Sequence, residues 1–219
     1  MSLKLRQAAE TVVYKIAECA PCYLDLDPVS WTQFEALLQV IPKFDVPQTT
    51  ITPMMAHFLY AISAVQQPKH LFGAGTYVGY AFSFLFAGTN KQAVGLGCDL
   101  NPKATRLAQR NAERMGWSNR LTYRQQDVMT QPRSEIYDLL FIDIDDPASG
   151  KSGYADILQY FAPQLALGAI IVAHDSQVQK FAADFKRYHL AIDQEPGIRL
   201  IGDLPIDECG VSVAIKLEE

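Results

Sequence analysis

Apolar residues recur at helical spacing in the first part of the chain. Ala8, Val12 and Ile16 line one face of residues 3–20, and residues 31–40 repeat the pattern. Thr52 followed by Pro53 then reads as an N-cap with proline at the first helical position, opening a third helix that runs to Ala64. From His70 onward the period changes. Short apolar runs at 70–72, 93–98, 121–123, 137–142 and 169–173 predict strands, and helical stretches at 102–115 and 155–167 lie among them. Strand alternating with helix predicts a parallel sheet with right-handed crossovers. A further helix near 177–189 precedes two strands, 198–201 and 211–216; with only a short loop between them, these pair antiparallel or leave the sheet. The expected organisation is one α/β unit over residues 51–219, preceded by an N-terminal helical segment, residues 1–50.

Composition narrows the partners. A chain of 219 residues with 49% hydrophobic content can bury a full core. A net charge of −5 with no Lys/Arg-rich stripe excludes a nucleic-acid surface and favours a small-molecule partner. No apolar run approaches the roughly 18–20 residues that a bilayer requires, and the charged N-terminus lacks a signal-peptide pattern. The expected location is the cytoplasm, with no membrane contact. Cys19, Cys22, Cys98 and Cys209 are too scattered for a disulfide framework, and the C-x-x-C pair ends a predicted helix instead of starting one.

The candidate chemistry lies where strands end. Residues 70–80 read HLFGAGTYVGY, in which Gly73, Gly75 and Gly79 punctuate the junction of the first strand and the next helix. Glycine lets a ligand approach the backbone there, and the helix start aims free N–H groups at an anion. Asp99 closes the second strand in GLGCDLNP, 24 residues beyond Gly75, where a carboxylate can accept both ribose hydroxyls. Asp127 follows the third strand in YRQQDV, placed either for an adenine amino group or as a cap. FIDIDD ends the fourth strand with Asp143, Asp145 and Asp146, three acids whose mutual repulsion requires a cation, a proton or a donor nearby. The fifth ends in IIVAHDSQ, so that His174 and Asp175 stand beside Asp143. Together they form either a divalent-cation site or a setting for His174 as general base.

Taken together, GAGTYVGY, CDLNP, QQDV, YDLLFIDIDD, LALGAIIVAHDS and GDLPIDECGVSVAIKL resemble the class I S-adenosylmethionine-dependent O-methyltransferases, nearest to the catechol and caffeoyl-CoA group. The resemblance implies a Rossmann-like, doubly wound, mostly parallel seven-stranded sheet with an antiparallel last strand, S-adenosylmethionine as methyl donor, and a homodimer. By that similarity Thr52 and the loop containing Gly73, Gly75, Thr76 and Gly79 hold the methionine end, Asp99 the ribose, and Asp127 with Val128 the adenine, with Asp143 bordering the cofactor. It also marks Asp143, His174 and Asp175 as the catalytic and metal positions. Here the chain departs from the family: Gly73 replaces a glutamate, His174-Asp175 replaces an Asp-Asn pair, and Asp146 replaces a lysine for which Lys151 is the candidate substitute. Imidazole in place of oxygen either shifts the preference toward a transition metal or abolishes binding. Two other readings fit the same glycines and ribose acid. One is an NAD(P)-dependent oxidoreductase, disfavoured by Val78 where the fingerprint wants glycine; the other is a non-catalytic cofactor-binding protein.

Overall fold

Three helices come first: α1 (Ser2–Glu18), α2 (Thr32–Val40) and α3 (Pro53–Gln66). The computed structural model describes residues 2–24, 27–46 and 51–218, so the border expected at residue 50 touches residues outside the described ones. Thr52 does cap α3, its Oγ1 accepting from the Met55 N–H at 3.2 Å, and Pro53 follows in the first turn. Almost every residue of α3 from Met55 to Val65 is buried. A helix apolar all round has to be enclosed on several sides, and α1 is one of its neighbours.

The body follows as β1 (His70–Ala74), α4 (Tyr80–Ala87), β2 (Val94–Asp99), α5 (Pro102–Arg114), β3 (Leu121–Gln125), β4 (Tyr137–Ile142), α6 (Tyr154–Phe161), β5 (Leu165–His174), α7 (Ala182–Gln194), β6 (Ile198–Leu204) and β7 (Val211–Lys216). The seven strands form one sheet in the order β3-β2-β1-β4-β5-β7-β6, with β7 antiparallel to both neighbours. Strand periodicity divides the core. Leu71, Leu139, Phe141, Ile170 and Val172 face the layer of α3, α4 and α5, whereas Phe72, Leu140, Ile142, Ile171 and Ala173 face α6 and α7.

Several predicted boundaries move; β5 starts at Leu165 where 169 was expected, and α7 runs on to Gln194 past the expected 189. The helix expected at 155–167 ends at Phe161, because Pro163 draws the chain into a single 3₁₀ turn and β5 starts at Leu165. The helix expected from 177 starts at Ala182, because the Asp175 and Gln177 N–H groups donate to Gly210 and Cys209 carbonyls at 3.0 and 2.8 Å, tying to the β6–β7 loop a turn that the Val178 N–H closes onto the Asp175 carbonyl at 3.1 Å, and a 3₁₀ turn at Gln179–Phe181 follows it. The strand expected at 198–201 runs on to Leu204 through an irregularity between Leu200 and Gly202. β1 pairs with β2 on one side and β4 on the other, so the strand order reverses between them and a crevice opens beyond their carboxyl ends.

Candidate active site

The crevice is a cleft of about 790 Å³ bordered by Gly75, Thr76, Asp99, Asp127, Val128, Asp143, His174 and Asp175. Its floor is the turn after β1. Gly75 (φ +77°), Tyr77 (φ +46°) and Gly79 (φ +75°) all take left-handed backbone. Gly75 and Thr76 donate to the Cys98 carbonyl at 2.9 and 3.3 Å, fixing the turn to the end of β2. A Cβ on Gly75 would lie 2.6 Å from the Asp143 carbonyl oxygen, so glycine here allows β1 and β4 to close together. Asp99 is bound to this floor: Oδ2 accepts from the Tyr77 N–H at 2.7 Å and Oδ1 from the Asn101 N–H at 2.8 Å. Each oxygen keeps a further lone pair. Asp127 caps the 3₁₀ turn Val128–Thr130 through the Met129 N–H at 2.9 Å while lining the cleft, so both of its expected roles are sterically open.

Three expected cofactor contacts lie outside the lining and have structural work. Thr52 donates to Asp207 Oδ2 at 2.6 Å, tying α3 to the β6–β7 loop. Gly73 sits inside β1, where the Thr76 methyl would be 2.5 Å from a Cβ; that methyl now fills the space the expected glutamate would enter. Gly79 begins α4 beneath the Tyr123 hydroxyl.

The chemistry gathers where β4 and β5 end. Asp143, His174 and Asp175 do meet, and a fourth group joins them. Lys151 Nζ lies 3.0 Å from Asp143 Oδ1 and 2.8 Å from Asp175 Oδ2, with its side chain only 1% exposed. His174 Nδ1 lies 3.2 Å from Asp175 Oδ1 and 3.5 Å from Asp143 Oδ1, while its Nε2 is buried with no partner among the described residues. Asp175 takes φ +73°, which turns its carboxylate back toward the cluster. The other two acids of FIDIDD do not enter: both are exposed, and Asp146 Oδ1 accepts from Ala148, Ser149 and the Ser149 hydroxyl.

Burial opposes every charge here, and the partners outweigh it. Burial alone would raise the Asp143 pKa, but Lys151 and then His174 hold it below the ordinary carboxylate value. Burial alone would lower Lys151 and His174, but Asp143 and Asp175 raise both. Lys151 is therefore an ammonium. Cys209, from the β6–β7 loop, brings its sulfur within 4.8 Å of ligand atoms of His174 and Asp175, and burial first, then Asp175, pushes its thiol up to about 11.

The expected metal set does not fit a divalent ion. The gap between the two carboxylates is already bridged by an ammonium. A dication within ~4 Å of it would face repulsion on the order of 8 kcal/mol even at an effective dielectric constant of about 20. Sequence reasoning had one signal for this: Lys151 is the sole lysine or arginine between Arg133 and Lys180, and three acids require a counter-charge. Cys209 gave no signal, because its approach depends on the β6–β7 loop folding back over Asp175.

A family described as O-methyltransferase matches residues 30–183 of this chain. A catechol O-methyltransferase from Niastella koreensis is 25% identical over 134 residues, 58% of each chain. A putative O-methyltransferase from Mycobacterium sp. (strain JLS) is 26% identical over 144 residues, 64% of this chain and 63% of that protein. The matched stretches thus span less than two thirds of these relatives. Among solved structures, an O-methyltransferase from Bacillus cereus in complex with SAH superposes with a TM-score of 0.66 at 18% identity, covering 96% of this chain and 100% of that one. The O-methyltransferase TomG from Streptomyces achromogenes, in complex with SAM, gives 0.66 at 13% identity, covering 97% and 99%. These two likenesses confirm the doubly wound sheet with its antiparallel last strand. All four are described as O-methyltransferases.

Proposed function

The chain belongs to the O-methyltransferase family, and on that premise we propose that it is an S-adenosylmethionine-dependent methyltransferase acting on a hydroxyl of a small molecule. The observation that carries the reading is the single cleft at the strand-order reversal, which has the glycine turn, Asp99 and Asp127 along one side and His174 on the other. Asp99, with one free lone pair on each oxygen, receives the two ribose hydroxyls; Asp127 and the Val128 backbone take the adenine; Gly75 and Thr76 lie against the methionine end. When bound, the cofactor supplies a methyl group on a sulfonium, an already activated leaving group.

The protein is then left with alignment and proton removal. His174 takes the hydroxyl proton at Nε2, an atom that is buried in the open cleft and that the acceptor must uncover as it docks. Asp175 and Asp143 hold Nδ1–H, which fixes the tautomer whose Nε2 carries a lone pair. No resident metal enters this reading. Residues 51–219 form the cofactor-binding unit, with 1–50 as a helical segment before it. We further propose a homodimer, as the family resemblance implies, working in the cytoplasm, where the exposed, unpaired Cys19 and Cys22 stay reduced. Among the described residues no helix is long and apolar enough to cross a membrane.

Thermal unfolding with S-adenosylhomocysteine tests the reading. At a hundredfold excess over Kd the ligand adds about 2.7 kcal/mol, a rise in Tm of roughly 5–10 °C for a chain of this size, and Asp99→Ala removes most of it. A wild-type protein that does not respond to millimolar ligand refutes the assignment.

A further inference from the structure

We infer that Lys151 is a resident, covalently tethered cation occupying the place between Asp143 and Asp175 where the family resemblance puts a metal ion, and that it masks a latent transition-metal site made of His174, Asp175 and Cys209. The inference deepens the proposed function, because only in a methyl-transfer site do these carboxylates have that significance. It stands on the construction around the lysine. Asp146 and Gly150 exchange backbone hydrogen bonds of 3.1 and 2.8 Å, closing the loop after β4 into a turn whose next residue is Lys151. Gly150 makes that turn at φ +61° against Phe181 and Asp184, where a Cβ would come within 3.1 Å of the Phe181 ring. The Lys151 N–H donates to Asp184 Oδ2 at 3.1 Å, anchoring the residue to α7. Its ammonium then lies 5.4 Å from the Tyr154 ring centre and 5.5 Å from that of Phe181 while it bridges the two carboxylates. A side chain placed by its loop, its helix and two rings is not a mobile surface lysine that happens to pair.

The second observation is the donor set beside it. His174 Nε2 is buried and unpartnered, and imidazole, carboxylate and thiol ligand atoms lie within 4.8 Å of one another. Nitrogen, oxygen and sulfur together suit a zinc-like or cobalt ion, not magnesium. With the ammonium bridging Asp175, that carboxylate is committed and the local charge repels a dication. Without it, the three ligands and Asp143 face a space short of one positive charge. Lys151 is on this account a positioning residue: it holds both carboxylates so that they hold the His174 ring.

Cobalt(II) titration of the full chain, freed of metal with a chelator, decides the matter through the visible ligand-field bands and the thiolate charge-transfer band. The wild type is expected to show neither at stoichiometric cobalt. Lys151→Met is expected to bind one equivalent at least about a hundredfold more tightly, with a charge-transfer band that Lys151→Met/Cys209→Ser loses. If Lys151→Met folds only with cobalt present, that outcome supports the inference equally. Stoichiometric cobalt binding by the wild type overturns it, as does a Lys151→Met protein that folds and binds no better than the wild type. If Lys151→Met folds under neither condition, cobalt bound by the wild type at the titration's stoichiometric point still overturns the inference, and its exclusion there supports it. S-adenosylhomocysteine stabilisation of the wild type, measured in parallel, reports on the methyltransferase reading alone, so either can fail without the other.

Discussion

Replacing Gly75 by alanine should cost far more than the loss of one glycine ordinarily does, and the structure separates the two parts of the cost. The first part is conformational: a Cβ at φ +77° costs roughly 1–2 kcal/mol. The second is steric, because the new methyl would stand 2.6 Å from the Asp143 carbonyl oxygen and 2.7 Å from the Ile144 Cα. Neither wall can retreat easily: the Gly75 N–H is bound to the Cys98 carbonyl at 2.9 Å, and the Asp143 N–H to the Ala74 carbonyl at 2.8 Å. Forcing a group into such a space costs about 1–3 kcal/mol more. The sum, about 2–5 kcal/mol, corresponds to a fall in Tm of roughly 4–20 °C. Gly116 supplies the control, since it has φ +70° with nothing within 4 Å of the added Cβ. Gly116→Ala should therefore show the conformational part alone. Urea denaturation of both variants reads the difference directly from the midpoints at equal m-value. Equal losses would refute the claim that the β1 turn and the end of β4 are pressed together at this point.

His174→Gln should lower kcat by about 10²–10⁴-fold while leaving S-adenosylhomocysteine stabilisation in place, and the wild-type rate should rise with pH through a midpoint above 6.5, because Asp143 and Asp175 raise His174 and only its neutral form accepts a proton. A rate limb at or below 6.5, or loss of ligand stabilisation in the variant, would count against His174 as base. Stability follows the same linkage: a raised histidine contributes fully below 6.5 and loses that contribution as pH climbs through its folded value, whereas the depressed Asp143 contributes above the ordinary 3.8 and fails as acid falls through its folded value. Chemical denaturation across pH should thus show a decline beginning above 6.5 that His174→Gln lacks.

Much of this molecule is readable one element at a time. Thr52-Pro53 and Asn101-Pro102 cap α3 and α5 as local chemistry demands, and the alternation in β4 sorts its side chains to two faces because the strand period is 2. The strand-end acids were legible because a doubly wound sheet places them at one crevice. What periodicity misses is set by long-range closure. Where the 155–167 helix stops depends on Pro163 and the pairing of β5, and the burial of Lys151 depends on a seven-residue excursion from Asp143 that closes on itself through Asp146 and Gly150. Cys209 reaches the site only because the segment after β5 is laced to the β6–β7 loop by backbone bonds. Thr52, Gly73 and Gly79 lie outside the cleft lining, and the structural partners that their side chains or missing side chains meet are set by long-range closure as well.

β7 comes after β6 in the chain yet is inserted between β6 and β5, with Val211 opposite His174. During synthesis on the ribosome the apolar edge of β5 therefore stays unpaired until the last strand emerges, and β6 has nothing in the sheet to join before then. His174 gains its final backbone neighbour only in that closing step. A nascent chain stalled anywhere between β5 and β7 presents Ile170–Ala173 as a bare adhesive margin, which makes this interval the one in which a chaperone, or another such chain, would find it.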